Sequence, residues 1–185
     1  AQMGTSICWA FASLTALETT LYKQGVANVN ENLNFSELNL AYSTQVVNRN
    51  LQNVAGGNFD LAYEYLSSEN GAVYQQNGEG YNPANQSRWA SDSSVTPYYA
   101  ENFYATATQS NYRVLEAVSF PDKNTLSTEE EKQNLRQAIK HHIQNYGGVT
   151  ASIYMDTQNL VNNQFYICTN KNLKQNHMVT LVGWD

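Results

Sequence analysis

The spacing of apolar residues changes along this chain, and that change restricts its fold more than any single residue does. Up to Gly71 the spacing is that of amphipathic helices. From Cys8 to Gln24 the apolar positions Trp9, Phe11, Ala12, Leu14, Leu17 and Leu21 suit a helix, and Gly25 is a natural C-terminal stop. Ser36 is placed to cap a second helix reaching roughly Asn48, with Leu38, Leu40, Ala41 and Val46 among its apolar members. Asn58 to Glu69 reads as a third helix, with Phe59, Ala62, Tyr63 and Leu66 on one face and Gly71 ending it.

Beyond that point the pattern becomes strand-like. Gln75 to Ser94 is rich in Asn, Gly and Ser and contains Pro83, which predicts a long surface loop. Tyr112 to Phe120 alternates as a strand does, and Pro121 ends it. Ser127 and Glu130 have capping-box spacing, and Glu129 and Glu131 add charge that a helix N-terminus favours. Leu135, Ala138, Ile139 and Ile143 continue that helix, and Gly147 stops it. Val149 to Tyr154 and Met178 to Trp184 read as strands. Helices first, then strands around one helix, predict an α+β protein of two lobes, a helical one over residues 1–108 and a β-rich one over 109–185.

Composition removes several functions. The chain has 185 residues, a net charge of −6 and only 14% charged residues. An acidic surface is a poor match for nucleic acid, and it lacks the basic patch that anionic membranes attract. No apolar run approaches the ~20 residues a membrane span needs. Ile7 to Leu17, the most apolar stretch, is too short and lacks the preceding basic segment of a signal peptide. Solubility rests on neutral polar side chains, a composition common in exported proteins. The two cysteines, Cys8 and Cys168, allow one disulfide but no disulfide framework.

The chemistry-bearing residues lie near the two ends. Cys8 opens a helix, where unpaired N–H groups and the positive dipole end favour a thiolate, the attacking species. The alternative for such a residue is a small buried core side chain. His177 enters an alternating apolar strand, which can fix a base or hold an ordinary structural histidine. His141 and His142 are adjacent on a predicted helix, so they point in different directions and read as a solvated face. No metal-ligand spacing is present, and no cofactor is expected.

Taken together, Gln2, Cys8-Trp9-Ala10-Phe11 and Asn176-His177 through Val182-Gly183-Trp184 resemble the papain-like cysteine peptidase family. Three further landmarks follow in the family's order: Phe35-Ser36-Glu37 with Leu40, Gly56-Gly57 before Asn58-Phe59-Asp60, and Ala138-Ile139-Lys140 before Tyr146-Gly147-Gly148-Val149. The resemblance covers essentially the whole chain. It implies a helical N-terminal lobe, an antiparallel β-barrel-like C-terminal lobe, and peptide hydrolysis through a thioester acyl-enzyme. Cys8 would be the nucleophile and His177 the base, with the Gln2 side chain joining the Cys8 N–H in an oxyanion hole. Gly56 and Gly57 would offer backbone to an extended peptide, and glycine would let that peptide approach closely. Phe59, Ser152 and Met178 would line the subsite for the second side chain before the scissile bond. Asn58 and Asn176 complete the expected substrate-binding set. Met178 stands where relatives often carry Ala or Gly, so a narrower pocket is expected. The partner is a peptide or protein substrate, and a propeptide or inhibitor is a further expected occupant of the cleft.

The sequence also departs from that pattern. Thr5 and Val54 replace a cysteine pair that many relatives join as a disulfide. Ser6-Ile7 replaces the common Gly-Ser pair, which predicts a bulkier wall beside the site. The Asn-Ser-Trp motif that supplies the family's third catalytic residue does not occur, and Asp185 lies too near His177 along one strand to replace it. The expected fold is thus an incomplete papain-like one, with exposed barrel edges and an apolar face. Two other readings stay open: a non-catalytic papain-fold module for binding or adhesion, and another cysteine acyltransferase of transglutaminase type. Composition points to a secreted or cell-surface setting. Asn34-Phe35-Ser36 and Asn85-Gln86-Ser87 match the glycosylation pattern, as chance alone predicts in an Asn-rich chain.

Overall fold

Helix α1 spans Cys8–Lys23 and ends where Gly25 takes a positive φ of 67°. The Gly25 N–H donates to the Tyr22 carbonyl at 3.2 Å and the Val26 N–H to the Leu21 carbonyl at 3.0 Å, closing the last turn as a Schellman motif. A computed structural model of the protein describes residues 6–28, 30–47, 56–69, 71–75, 112–156, 160–161, 164–165 and 173–185.

Helix α2 is Glu37–Val47, and Ser36 caps it by accepting the Asn39 N–H at 2.8 Å. Helix α3 is Phe59–Ser67, capped by Asn58, whose side chain accepts the Leu61 N–H at 3.0 Å. These three helices enclose the core, in which Trp9, Leu14, Phe35, Leu38 and Leu40 are almost wholly buried. Asn39 is buried among them, and its side-chain oxygen accepts from the Tyr65 hydroxyl. Phe35 stacks on Tyr74 at 5.2 Å and meets Tyr112 edge-on at 5.6 Å, tying the start of α2 to the chain beyond α3.

After a short 3-10 turn at Lys123–Thr125, helix α4 runs Glu129–Asn145. Its capping box is Thr128 with Glu131, one residue later than the expected Ser127 with Glu130. The later register wins because the Glu131 carboxylate then accepts both the Thr128 and Ser127 N–H groups, at 2.9 and 2.8 Å. Those bonds hold the Glu131 carboxyl below the usual glutamate range.

Strand β1 (Val149–Ile153) pairs antiparallel with β4 (His177–Leu181), setting Val149 opposite Leu181 and Ile153 opposite His177. Strands β2 (Leu160–Val161) and β3 (Gln164–Phe165) form a second, very short antiparallel pair. The last strand thus starts one residue earlier than expected and stops at Leu181, leaving Val182 and Trp184 exposed. Lys140 of α4 lies over the Trp184 ring, 5.4 Å from its centre.

The expected strand from Tyr112 to Phe120 is not formed. Tyr112 makes one bridge to Ala72, and Val114 donates its N–H to the Leu66 carbonyl at 2.8 Å. Beyond that Leu115 is 81% and Val118 60% exposed, so no face of the alternation is buried. Alternation describes a strand only where a neighbouring strand and a core receive it. The expected lobe boundary at residue 108, the predicted loop from Gln75 to Ser94 and the Asn85 glycosylation pattern fall largely or wholly outside the described residues.

Candidate active site

Cys8 is the first residue of α1, half-buried and not disulfide-bonded. No side chain caps this helix end, and its first turn holds no acidic residue. Ala10 and Phe11 both donate their N–H groups to the Ile7 carbonyl, at 3.0 and 3.2 Å. The positive end of the helix dipole therefore meets Cys8 with no carboxylate in that turn to neutralise it, a setting that suits a reactive sulfur. Ile7 is 0% exposed and belongs to the core, so it anchors the helix start and is not the bulky cleft wall expected from sequence.

Trp9 follows the cysteine and is buried, and Gly57 packs against its indole. A Cβ added to Gly57 would lie 2.6 Å from Trp9 Cδ2 and 2.7 Å from Nε1. The indole by itself thus requires glycine at 57. Gly56 is exposed, with open space where a side chain would stand. Asn58, expected among the substrate contacts, has its side-chain oxygen committed to the α3 cap.

His177 is half-buried at the start of β4. The residue before it is clamped: the Asn176 side chain donates to the Met155 carbonyl at 2.9 Å and accepts the Met155 N–H at 2.8 Å. Its backbone N–H donates to the Ile153 carbonyl at 3.0 Å. The Asn176 amide therefore works as an added rung at the end of the sheet, and its side chain is engaged where a substrate contact was expected.

Strand β4 lies against α1. The Thr180 hydroxyl donates to the Ala12 carbonyl at 2.8 Å, and the Gly148 N–H, beside Leu181, donates to Thr19 Oγ1 at 2.8 Å. Ala12 precedes Thr19 along α1 as Thr180 precedes Leu181 along β4, so helix and strand run in the same sense. The start of β4, with His177, therefore lies towards the first turn of α1, with Cys8. Lys23 adds a further link, donating to the Gln144 carbonyl at 3.1 Å near the C-terminus of α4.

Phe59, Ser152 and Met178, expected in one subsite, line the same open cavity of about 2260 Å³. Met178 faces Ser152 across the β1–β4 pair and packs against the helical core. Phe59 is 37% exposed and stacks on Tyr63 at 6.1 Å, and Tyr63 also lines the cavity. The volume exceeds the ~300–1,000 Å³ of a small-ligand pocket, and Cys8, His177, Gly56 and Gly57 are not among the residues lining it.

Gln2, Thr5, Val54 and Cys168 lie outside the described residues. His142, read as part of a solvated helix face, instead packs on Tyr146 at 5.2 Å and edge-on to Phe120 at 5.6 Å. Burial, with His141 adjacent, pushes its pKa down. Among the described residues no group of three His, Cys, Asp or Glu could hold a metal, and no helix is long and apolar enough to cross a membrane. Sequence reasoning missed Glu18, Thr19 and Thr180. Glu18 accepts the Phe35 N–H at 3.0 Å inside the helical lobe, and burial raises its carboxyl pKa. The available signal for Thr180 was a hydroxyl in the middle of an apolar strand.

The family model for papain family cysteine proteases matches residues 2–185. Among solved structures the chain is similar to the clostridial cysteine protease Cwp84 after propeptide cleavage, with 21% identity and a TM-score of 0.68. That match covers 97% of this chain and 39% of the other, so the chain spans well under half of the structure it resembles. No curated protein matches it.

Proposed function

Given that the chain belongs to the papain family of cysteine proteases, we propose that it hydrolyses peptide bonds with Cys8 as nucleophile and His177 as base. The observation that carries this reading is the uncapped start of α1 at Cys8, with β4 fixed alongside so that its first residue, His177, lies towards that turn. His177 takes the thiol proton, and the sulfur attacks the carbonyl carbon of the scissile bond. The Cys8 N–H and the Gln2 side-chain amide donate to the oxyanion that forms, and losing one such donor typically costs ~10²–10³ in rate. The intermediate collapses to a thioester as the imidazolium gives its proton to the leaving amine. A water molecule, deprotonated by His177, then attacks the thioester and frees the acid and the thiol.

The substrate in this reading is an extended peptide whose backbone lies along Gly56 and Gly57. Its second side chain before the scissile bond enters the cavity at Phe59, Ser152 and Met178. Met178 occupies the floor between β4 and the helical core and makes that subsite short. The Asn-rich composition, with few charged residues, supports a secreted or cell-surface setting.

The test is thiol reactivity. Iodoacetamide should label Cys8 much faster than Cys168 at ~pH 6, where an unassisted thiol is almost wholly protonated. His177→Ala should abolish the difference. Equal, slow labelling of both cysteines would sink the peptidase reading and favour a binding module on the same fold.

A further inference from the structure

We propose that Thr180 is a positioning residue for the Cys8–His177 pair, the pin that sets β4 against α1. The inference rests on the catalytic reading above and adds to it a residue outside the reacting groups.

Both substituents on the Thr180 Cβ have a fixed destination. The hydroxyl donates to the Ala12 carbonyl at 2.8 Å. The methyl occupies the space left by the missing side chain of Gly148, where an added Cβ would come within 2.7 Å of it. That added atom would also lie 2.9 Å from Thr19 Oγ1, the group that accepts the Gly148 N–H. Helix α1, strand β4 and the turn before β1 therefore converge on one stiff β-branched side chain.

Its place along the two elements gives the pin its leverage. Ala12 lies about one helical turn, ~6 Å, beyond Cys8 on α1. Thr180 lies three residues, ~10 Å, beyond His177 on β4. Two further hydrogen bonds between helix and β-rich region, at Thr19 and Lys23, are at the far end of α1, and Met178 packs against the helical core beside His177. Thr180 thus bonds to α1 closer to Cys8 than either of those two does. Sliding or rotating β4 along α1 breaks that hydrogen bond and changes the sulfur-to-imidazole geometry. A misplacement of ~1 Å is enough to cost ~10²-fold in rate.

The experiment compares the full chain with Thr180→Val, Thr180→Ala and Thr180→Ser. Each is followed by thermal melt, by kcat and KM on a fluorogenic peptide, and by the pH dependence of Cys8 alkylation. Valine and alanine should lower kcat by roughly 10–100-fold with KM little changed. Their alkylation profile should move towards that of an isolated thiol. Serine, which keeps the donor, should restore both. Alanine decides the matter if the valine methyl, set against the Ala12 carbonyl, prevents folding. A folded alanine variant with wild-type kcat and alkylation profile overturns the proposal, as does a serine variant as impaired as alanine. Unfolding of both the valine and alanine variants also overturns it, because Thr180 is then only structural. If wild-type Cys8 reacts no faster than Cys168, the catalytic reading itself fails and takes the pin with it. Fast wild-type alkylation matched by every folded variant removes the pin alone.

Discussion

Replacing Gly57 by alanine tests whether the indole of Trp9 dictates the residue there. The added methyl would stand 2.6 and 2.7 Å from two indole atoms, far inside contact distance. The ring cannot swing aside, because Trp9 is 1% exposed and packed within the core. Forcing an extra carbon into such a place typically costs about 1–3 kcal/mol. For a chain of this length each kcal/mol lowers the melting temperature by about 2–4 °C, so Gly57→Ala should melt about 2–12 °C below wild type. The neighbouring change is the control. Gly56→Ala meets nothing within 4 Å and should alter stability by no more than about 0.5 kcal/mol. A double-mutant cycle sharpens the point. In a Trp9→Phe background the smaller ring makes room, and the cost of Gly57→Ala should fall by about 0.5–3 kcal/mol. Equal melting of the two glycine variants, or strict additivity with Trp9→Phe, would refute the steric argument.

Two further outcomes are expected. Burial raises the Glu18 carboxyl pKa in the folded protein, so the folded state holds its proton to higher pH than the unfolded chain does. Stability should therefore fall as pH rises past the ordinary glutamate value and through the raised one. Glu18→Gln, which keeps an acceptor for the Phe35 N–H, should lose that slope, and a pH-independent difference in urea melts would contradict it. In the cavity, Met178→Ala should deepen the subsite and raise kcat/KM for peptides with Phe at the second position over those with Val by about tenfold. An unchanged ranking among Phe, Val and Arg peptides would show that Met178 does not limit the pocket.

The parts of this fold written in local chemistry were legible in the sequence. Ser36, Gly25 and the stretch from Cys8 to Lys23 announce themselves within a few residues, because caps and helical spacing act over a turn. The capping box at α4 slipped by one position because Ser127 and Thr128 each stand three residues before a glutamate. Only the geometry of the shared carboxylate separates the two. The supposed strand after Tyr112 failed for the opposite reason, since a strand depends on neighbours its own residues do not reveal. Asn58 and Asn176 were assigned by resemblance to substrate, yet their side chains are committed to α3 and to Met155. The hydroxyl bonds of Thr19 and Thr180 join residues 129 and 168 positions apart, a distance at which no local pattern carries information.

The clamp at Asn176 has a consequence for motion. A two-stranded sheet of five residues ordinarily frays from either end. Here the Asn176–Met155 pair ties the His177 end, and the Thr19–Gly148 bond holds the Leu181 end against α1. With neither end loose, the β4 amides that bond to β1 lack an easy local opening. They should exchange with solvent only when the β1–β4 pair itself opens, so their protection reads how firmly the strand that begins at His177 is held.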